Sequence, residues 1–140
     1  MSTLWKGSLT CILSVFALCL AVPALAQEVE PMVKQTSDDV SFITGGIGLG
    51  ERAELKELFK KEYTCRIEIA NKKLEYLYKA RICILDANGD EVLETDTCGP
   101  WLLVDLEAGS YTAVIKHRDE TKEVKFAVTA GKKPVVVAIF

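Results

Sequence analysis

Residues 99–115 read GPWLLVDLEAGSYTAVI, and this stretch decides the expected fold. A turn at Gly99-Pro100 leads into a short apolar strand, and a tight turn at residues 107–109 then reverses the chain. In the second strand, Tyr111 and Ile115 share one face, because successive side chains of a strand point to opposite sides. We therefore expect this stretch to form a pair of strands in the core of a β-sandwich.

The chain beyond residue 64 shows the same two-residue alternation. Cys65, Ile67 and Ile69 alternate with charged residues, and the segment 135–140 is apolar on both faces, which is typical of a central or covered strand. Asn88-Gly89 predicts a two-residue type I′ hairpin, since both central residues of that turn need a positive φ. These patterns predict an all-β fold, a seven-stranded β-sandwich of Greek-key type. Its strands are predicted at 65–69, 79–86, 91–96, 101–106, 110–117, 121–129 and 135–140.

One short N-terminal α-helix is predicted at residues 51–62, ahead of these strands. Leu55, Leu58 and Phe59 form a narrow apolar stripe at helical spacing. Acidic residues in the first turn and lysines in the last turn complement the helix dipole. Because the stripe is narrow, the helix is expected to lie on the surface of the sandwich.

A glycine-rich segment, Gly45-Gly46-Ile47-Gly48-Leu49-Gly50, precedes the helix. A glycine-rich turn before a helix also occurs in phosphate loops, but the lysine and the spacing of a Walker motif are missing here. We expect a backbone turn that docks the helix on the sandwich. Backbone amides at a helix start can hold a carboxylate, so the segment is also a candidate site for a partner or peptide. The candidate residues are Thr44, Gly45, Gly46 and Gly48.

Residues 1–26 have the three parts of a signal peptide: a basic start at Lys6, an uncharged apolar run and the small-residue pattern Ala24-Leu25-Ala26. Cleavage is expected before Gln27, which predicts a periplasmic or secreted protein that meets the membrane only transiently, through this segment. A retained anchor and a lipoprotein attached at Cys19 are the alternatives. The predicted segments are a signal peptide at 1–26, a flexible leader at 27–41, the glycine-rich turn and helix at 42–63, and the sandwich domain at 64–140.

The charge of the processed chain argues against one class of partner. Removing residues 1–26 takes away one of the 17 Lys and Arg and none of the 20 Asp and Glu, which leaves a net charge of −4. A mildly acidic domain is poorly suited to nucleic acid, whose binding depends on Lys and Arg neutralising phosphates. We therefore expect no nucleic-acid partner.

Three cysteines, Cys65, Cys83 and Cys98, remain after processing. An odd number allows at most one internal disulfide, so at least one thiol is free or pairs between chains. The expected hairpin places Cys83 opposite Glu94, and Cys98 then lies about 13 Å further along the strand. This separation disfavours a Cys83–Cys98 bond, while Cys65–Cys98 stays open. The spacing matches no zinc or Cys-x-x-Cys redox motif.

No set of acid, base and nucleophile converges in the sequence, so we expect no enzyme and no cofactor. His117 is the only histidine and is expected to be a solvated turn residue, with a Cys–His pair as the alternative. Residues 86–91 are expected to form a plain hairpin, with a weak cation site as the alternative. Tyr76 and Tyr78 are candidate exposed aromatics for partner binding.

Several segments together resemble the carboxypeptidase regulatory-like domain, a transthyretin-like (prealbumin-like) seven-stranded sandwich, as found in small exported proteins of Gram-negative bacteria. The resemblance implies a periplasmic, non-catalytic module, and it says nothing about the three cysteines. The segments that carry it are Phe42-Ile43-Thr44-Gly45-Gly46-Ile47-Gly48, Glu75-Tyr76-Leu77, Asp86-Ala87-Asn88-Gly89, Gly99-Pro100-Trp101-Leu102-Leu103 and Leu106-Glu107-Ala108-Gly109-Ser110-Tyr111.

The function expected from these observations is an exported interaction module that binds a protein or peptide partner in the cell envelope. Binding is expected through a sheet edge, the loops or the segment 44–50. The alternative is a small-ligand or carbohydrate-binding domain, which would need an exposed aromatic platform around Tyr76, Tyr78 or Trp101. The partner and the oligomeric state are left open.

Overall fold

The computed structural model describes residues 35–140, and the predicted signal peptide lies outside them. Nine strands and one helix occupy this part of the chain. The elements are β1 (Gln35–Ser37), β2 (Val40–Gly45), α1 (Leu49–Lys61), β3 (Cys65–Ala70), β4 (Arg81–Leu85), β5 (Glu91–Asp96), β6 (Trp101–Val104), β7 (Gly109–His117), β8 (Glu120–Val128) and β9 (Val135–Ile139).

Two sheets make the all-β architecture that was expected. One has five strands in the order β1-β2-β6-β3-β9, and the other has four in the order β5-β4-β7-β8. The facing side chains of both sheets form one buried core, with Ile67 and Leu102 from the first sheet and Ile82 and Ile115 from the second. Every pairing between these strands is antiparallel except the parallel pair of β3 and β9.

The strand count differs from the seven predicted, because β1 and β2 add to the first sheet. A tight turn joins them, and Asp38 and Asp39 both adopt positive φ there, at 46° and 66°. Asp tolerates this conformation better than most residues because its short carboxylate bonds locally. Residues 35–41, assigned to the leader from sequence, therefore lie in β1, this turn and the start of β2.

Residues 99–115 do not form the pair of strands that was predicted. β6 pairs with β2 and β3, while β7 pairs with β4 and β8, so the stretch crosses from one sheet to the other. The Tyr111 hydroxyl donates to the Glu107 carbonyl oxygen at 2.6 Å across this corner. Such a tyrosine corner is typical of chains that pass between the sheets of a sandwich. The prediction was wrong because alternation locates a strand but does not identify its neighbour.

The hairpin between β4 and β5 also differs from the type I′ turn that was predicted. Only Gly89 has a positive φ, at 81°, and its N–H donates to the Asp86 carbonyl oxygen at 3.0 Å. The Asp86 carboxylate accepts the N–H groups of Asn88 (2.9 Å) and Asp90 (3.0 Å), which stabilises a longer, bulged loop. The register still places Cys83 opposite Glu94, which confirms that prediction.

The helix α1 covers part of the outer face of the five-stranded sheet. Leu55 and Phe59 from the helix pack with Ile43, Trp101 and Leu103 from β2 and β6 in a second apolar cluster. Removing such side chains from water stabilises the fold by about 1.5–3 kcal/mol each. The helix lies on the surface of the sandwich, as predicted, and it leaves β9 outside this cluster.

The glycine-rich turn is tightly packed at two points. Gly46 has φ of 94°, and a Cβ there would lie 3.1 Å from Cγ of Trp101. Gly99 lies directly against the backbone of Gly45, where a side chain has no room. Glycine is therefore needed at Gly46 for its positive φ and at Gly99 for its contact with the Gly45 backbone. In the described residues 35–140, no helix is long and apolar enough to span a membrane.

Candidate functional site

Most of the glycine-rich candidate site is buried. Thr44, Gly45 and Gly46 are buried, and only Gly48 lies in the exposed part of the segment. The hydroxyl oxygen of Thr44 lies 2.8 Å from the Cys98 sulfur, so that side chain already has a neighbour. The solvent-exposed part of this segment therefore begins at Ile47 and leaves out Thr44.

The turn also satisfies its own backbone groups. The Gly46 N–H donates to a carboxylate oxygen of Glu51 at 2.9 Å. One guanidinium nitrogen of Arg52 donates to the carbonyl oxygens of Gly46 (2.8 Å) and Ile47 (3.2 Å). The amide of Gly46, a candidate for binding a partner's carboxylate, thus already binds the carboxylate of Glu51.

The aromatic candidates do not form one exposed platform. Trp101 is 2% exposed. Tyr76 is half-buried and packs edge-on against Trp101, with ring centroids 6.0 Å apart. The Arg52 guanidinium also lies against Tyr76, 5.2 Å from the centre of its ring. Tyr78 alone of the three is exposed, so a flat stacking surface for a sugar is absent at this place among the described residues.

All three cysteines are free thiols in the structure. Burial raises the pKa of the Cys65 thiol to about 12. Burial also raises the pKa of Cys83, and the nearby Glu91 carboxylate adds to this effect. A raised pKa keeps a thiol protonated at neutral pH, which disfavours its use as a nucleophile. Cys98 is exposed beside Thr44.

The histidine is bound to the backbone rather than to a cysteine. Nδ1 of His117 lies 3.2 Å from the Lys79 carbonyl oxygen, and the ring packs against Phe140 with centroids 5.6 Å apart. The nearby groove, of about 490 Å³, is lined by residues 79–81 and 96–98. Within residues 35–140, no group of three or more His, Cys, Asp or Glu side chains could hold a metal ion.

The strand β9 is the feature that the sequence analysis placed wrongly. It was predicted to be central or covered, but it is an edge strand of the five-stranded sheet. Val135 and Val137 are 43% and 45% exposed on the outer face. Their apolar character made the strand look internal, although the neighbouring lysines and Pro134 are typical of a sheet edge. Sequence reasoning therefore missed these two valines as candidate binding residues.

The hydrogen-bond pattern of β9 leaves its outer edge unpaired. Arg66 N–H donates to the Pro134 carbonyl oxygen (3.1 Å), and Phe140 N–H donates to the Ala70 carbonyl oxygen (2.9 Å). The N–H and C=O groups of the even-numbered residues of β9 thus point toward β3. Because backbone groups alternate along a strand, those of Val135, Val137 and Ile139 point outward, away from the sheet. No other strand among residues 35–140 pairs with this side.

The other three sheet edges are protected in ordinary ways. β1 is only three residues long, and short edge strands resist pairing with other chains. β5 and β8 carry charged side chains along their length, whereas β9 carries none. The charged residues are Glu91, Glu94 and Asp96 in β5, and Glu120, Lys122, Glu123 and Lys125 in β8.

The start of β9 is fixed to the helix. The Lys133 ammonium donates to the carbonyl oxygens of Phe59 (2.7 Å) and Lys60 (2.6 Å), near the C-terminal end of α1. A cation at this end of a helix satisfies free carbonyl groups and is favoured by the helix dipole. These bonds fix the start of β9 against the C-terminal end of α1.

No protein-family model matches the chain, and no curated protein matches it. The membership in the carboxypeptidase regulatory-like domains stays a prediction from the quoted motifs.

Proposed function

We propose that the protein is a non-catalytic interaction module that binds an extended segment of a partner protein along β9. The observation that carries this proposal is an uncharged edge strand with two exposed valines and an unpaired backbone edge. Natural sandwiches protect such edges, because an exposed apolar edge pairs with other chains. An edge left in this form is suited to pairing with a specific partner.

The chemistry of the surface specifies the partner. The outward N–H and C=O groups of Val135, Val137 and Ile139 match the backbone of another strand, which supplies affinity without sequence preference. Apolar side chains at alternate positions of the added strand would cover Val135 and Val137. Covering each half-exposed valine contributes about 1 kcal/mol. The proposed partner segment is therefore extended, with apolar residues at every second position on one face.

The setting proposed for this interaction is the periplasm or the exterior of a bacterial cell. The signal-peptide pattern at residues 1–26 and the transthyretin-like motifs support it. A net charge of −4 after processing supports a protein partner rather than nucleic acid. The alternative, a small-ligand or carbohydrate-binding domain, has weaker support because Trp101 is buried and Tyr76 packs against it.

The experiment is cross-linking in native cells followed by capture of the tagged protein, with two variants compared. Val137→Lys places a charge on the edge strand and is expected to abolish capture of the partner. Ala127→Lys is the matched control, because Ala127 is an exposed residue of β8 in the other sheet. Circular dichroism checks that both variants fold.

Two outcomes would overturn the proposal. One is a partner captured equally by wild type and Val137→Lys, since the partner would then bind elsewhere. The other is a cross-linked product that contains only a second copy of this chain, since β9 would then be a dimer interface.

A further inference from the structure

A second exposed apolar surface lies at one end of the sandwich, where β2 and β3 end and β6 begins. It carries four of the six large apolar side chains that are exposed among residues 35–140. We call it the apolar end. Its residues and their exposed fractions are Ile47 (55%), Leu49 (81%), Leu74 (73%) and Tyr78 (49%).

Leu74 is held outward by a well-bonded turn. Its φ is 62°, a left-handed conformation that a bulky residue rarely adopts. Asn71 organises the turn: its carbonyl oxygen accepts the Leu74 N–H at 2.8 Å, and its side-chain oxygen accepts the N–H groups of Lys73 (2.9 Å) and Glu75 (3.0 Å). The fold therefore holds an exposed leucine in a strained conformation at a place suited to glycine or asparagine.

The two loops of the apolar end are joined by one side chain. Arg52 donates to the Ile47 carbonyl oxygen at 3.2 Å, and its guanidinium lies 5.2 Å from the centre of the Tyr76 ring. Ile47, in the turn before α1, and Leu49, the first residue of α1, therefore lie on a segment next to the one that carries Leu74 and Tyr78. The two neighbouring segments therefore both present exposed apolar residues at this end of the sandwich.

The segment that carries Leu74 and Tyr78 is mostly basic, whereas the first turns of α1, next to Leu49, carry Glu51 and Glu54 beside Arg52. The segment 71–79 has the sequence NKKLEYLYK, with three lysines and one glutamate. The glutamate, Glu75, accepts a hydrogen bond from the Asn71 amide at 2.7 Å. Lys72, Lys73 and Lys79 are exposed. Leucine and tyrosine flanked by lysine are the residues that enter the boundary between headgroups and acyl chains of an anionic bilayer.

From these observations we infer that the apolar end docks on an anionic membrane surface. Leu49, Leu74 and Tyr78 enter the headgroup region, and the three lysines bind lipid phosphates. This contact goes beyond the proposed binding along β9, and it differs from the sequence expectation that the chain meets the membrane only through residues 1–26. Peptide binding on the side edge and lipid binding at the end of the sandwich use different surfaces.

The test is co-sedimentation of the exported protein, purified after processing by the cell, with vesicles of two compositions. Binding is expected to phosphatidylethanolamine–phosphatidylglycerol vesicles and not to phosphatidylcholine vesicles. Changing Lys72 or Lys73 to Gln is expected to weaken binding to the anionic vesicles about fivefold each. Raising the salt concentration is also expected to weaken it.

Two further variants separate an apolar contact from simple charge attraction. Leu74→Asn keeps a residue that tolerates positive φ, and combined with Leu49→Gln it is expected to abolish binding while the fold is kept. Val135→Thr on β9 is the matched control and is expected to bind vesicles like wild type.

Absence of wild-type binding to anionic vesicles would overturn the inference, and so would binding that survives the Leu74→Asn, Leu49→Gln change. A protein captured in cells and lost only in that double variant, without vesicle binding, would assign the apolar end to a protein instead. Val137→Lys separates the two proposals, since it should lose the strand partner and keep vesicle binding.

Discussion

Glu68 lies directly opposite Val137 in the parallel pair of β3 and β9, and the charged residue is the more buried of the two. The Glu68 side chain is 12% exposed, whereas Val137 is 45% exposed. Glu68 forms an ion pair with Arg66 at 2.8 Å, and the Arg66 guanidinium lies 4.6 Å from the centre of the Trp101 ring. The usual pattern of burial is therefore reversed here. The charged pair lies buried on the side of the sheet near the helix, and the apolar valines lie exposed at the open edge.

Glu68→Gln is expected to destabilise the protein by about 2–4 kcal/mol, because the Arg66 charge would remain largely buried without its partner. Urea denaturation followed by circular dichroism measures the change in free energy of unfolding. Glu94→Gln is the control: its 3.5 Å pair with Arg81 is exposed, so the expected loss is below about 0.5 kcal/mol. Equal losses in both variants would show that the Arg66–Glu68 pair behaves as a surface pair.

Gly99→Ala is expected to cost more than about 3 kcal/mol or to prevent folding, because the new methyl group would overlap the Gly45 backbone. Gly50→Ala is the matched control. Gly50 lies in α1, and its surroundings leave open space where an alanine methyl group would lie, so alanine should stabilise the helix by about 0.5–1 kcal/mol. Opposite signs in thermal denaturation support the close contact between Gly99 and the Gly45 backbone, and a tolerated Gly99→Ala would contradict it.

Tyr111→Phe removes the hydrogen bond to the Glu107 carbonyl oxygen at the corner between the sheets. The expected cost is about 1 kcal/mol, the ordinary net value of such a bond. Tyr78→Phe serves as the comparison, because Tyr78 is 49% exposed. It should change the free energy of unfolding by less than about 0.5 kcal/mol. A neutral Tyr111→Phe in urea denaturation would mean that the corner contributes no stability.

The Cys65 thiol gives the protein a defined sensitivity to alkaline pH. Its pKa is about 12 when folded, because burial disfavours the thiolate, against 9.0 for the free thiol. The unfolded chain therefore loses this proton first as pH rises above 9, and stability falls between pH 9 and pH 12 with a slope of about 1.4 kcal/mol per pH unit. Below pH 9 the contribution is complete.

Cys65→Val removes this titration and keeps an apolar side chain of similar size. The free energy of unfolding of this variant should fall less steeply with pH than that of wild type between pH 9 and pH 12. Near neutral pH, both proteins should show the same dependence on pH. Parallel curves up to pH 12 would show that the folded thiol ionises as readily as an exposed one.

The sequence predicted what depends on neighbouring residues in the chain. The alternation at Cys65, Ile67 and Ile69 located β3 with its buried face, and the stripe at Leu55 and Phe59 located α1 on the surface. It failed where the answer depends on strands distant in sequence. Alternation in 99–115 could not show that β6 and β7 belong to different sheets.

The candidate site shows the same division. Thr44 and Gly46 were predicted as candidate partner-binding residues, but Cys98, Glu51 and Trp101 lie against them from other elements. An apolar strand such as β9 is expected to be packed against other residues on both faces. The sequence cannot say whether those residues belong to the same chain. Among residues 35–140, no strand pairs with the outer side of β9, and this unpaired edge is the reason for proposing a partner.

The most direct test of the strand-addition account is site-specific photo-cross-linking in native cells, with a photoreactive amino acid at position 137 or, as the control, at 127. If the partner adds a strand along β9, position 137 gives one dominant adduct that is absent from position 127. Mass spectrometry should map it to an extended partner segment with apolar residues at alternate positions. The same adducts from both positions, or none from position 137, would contradict the claim that β9 is the binding edge.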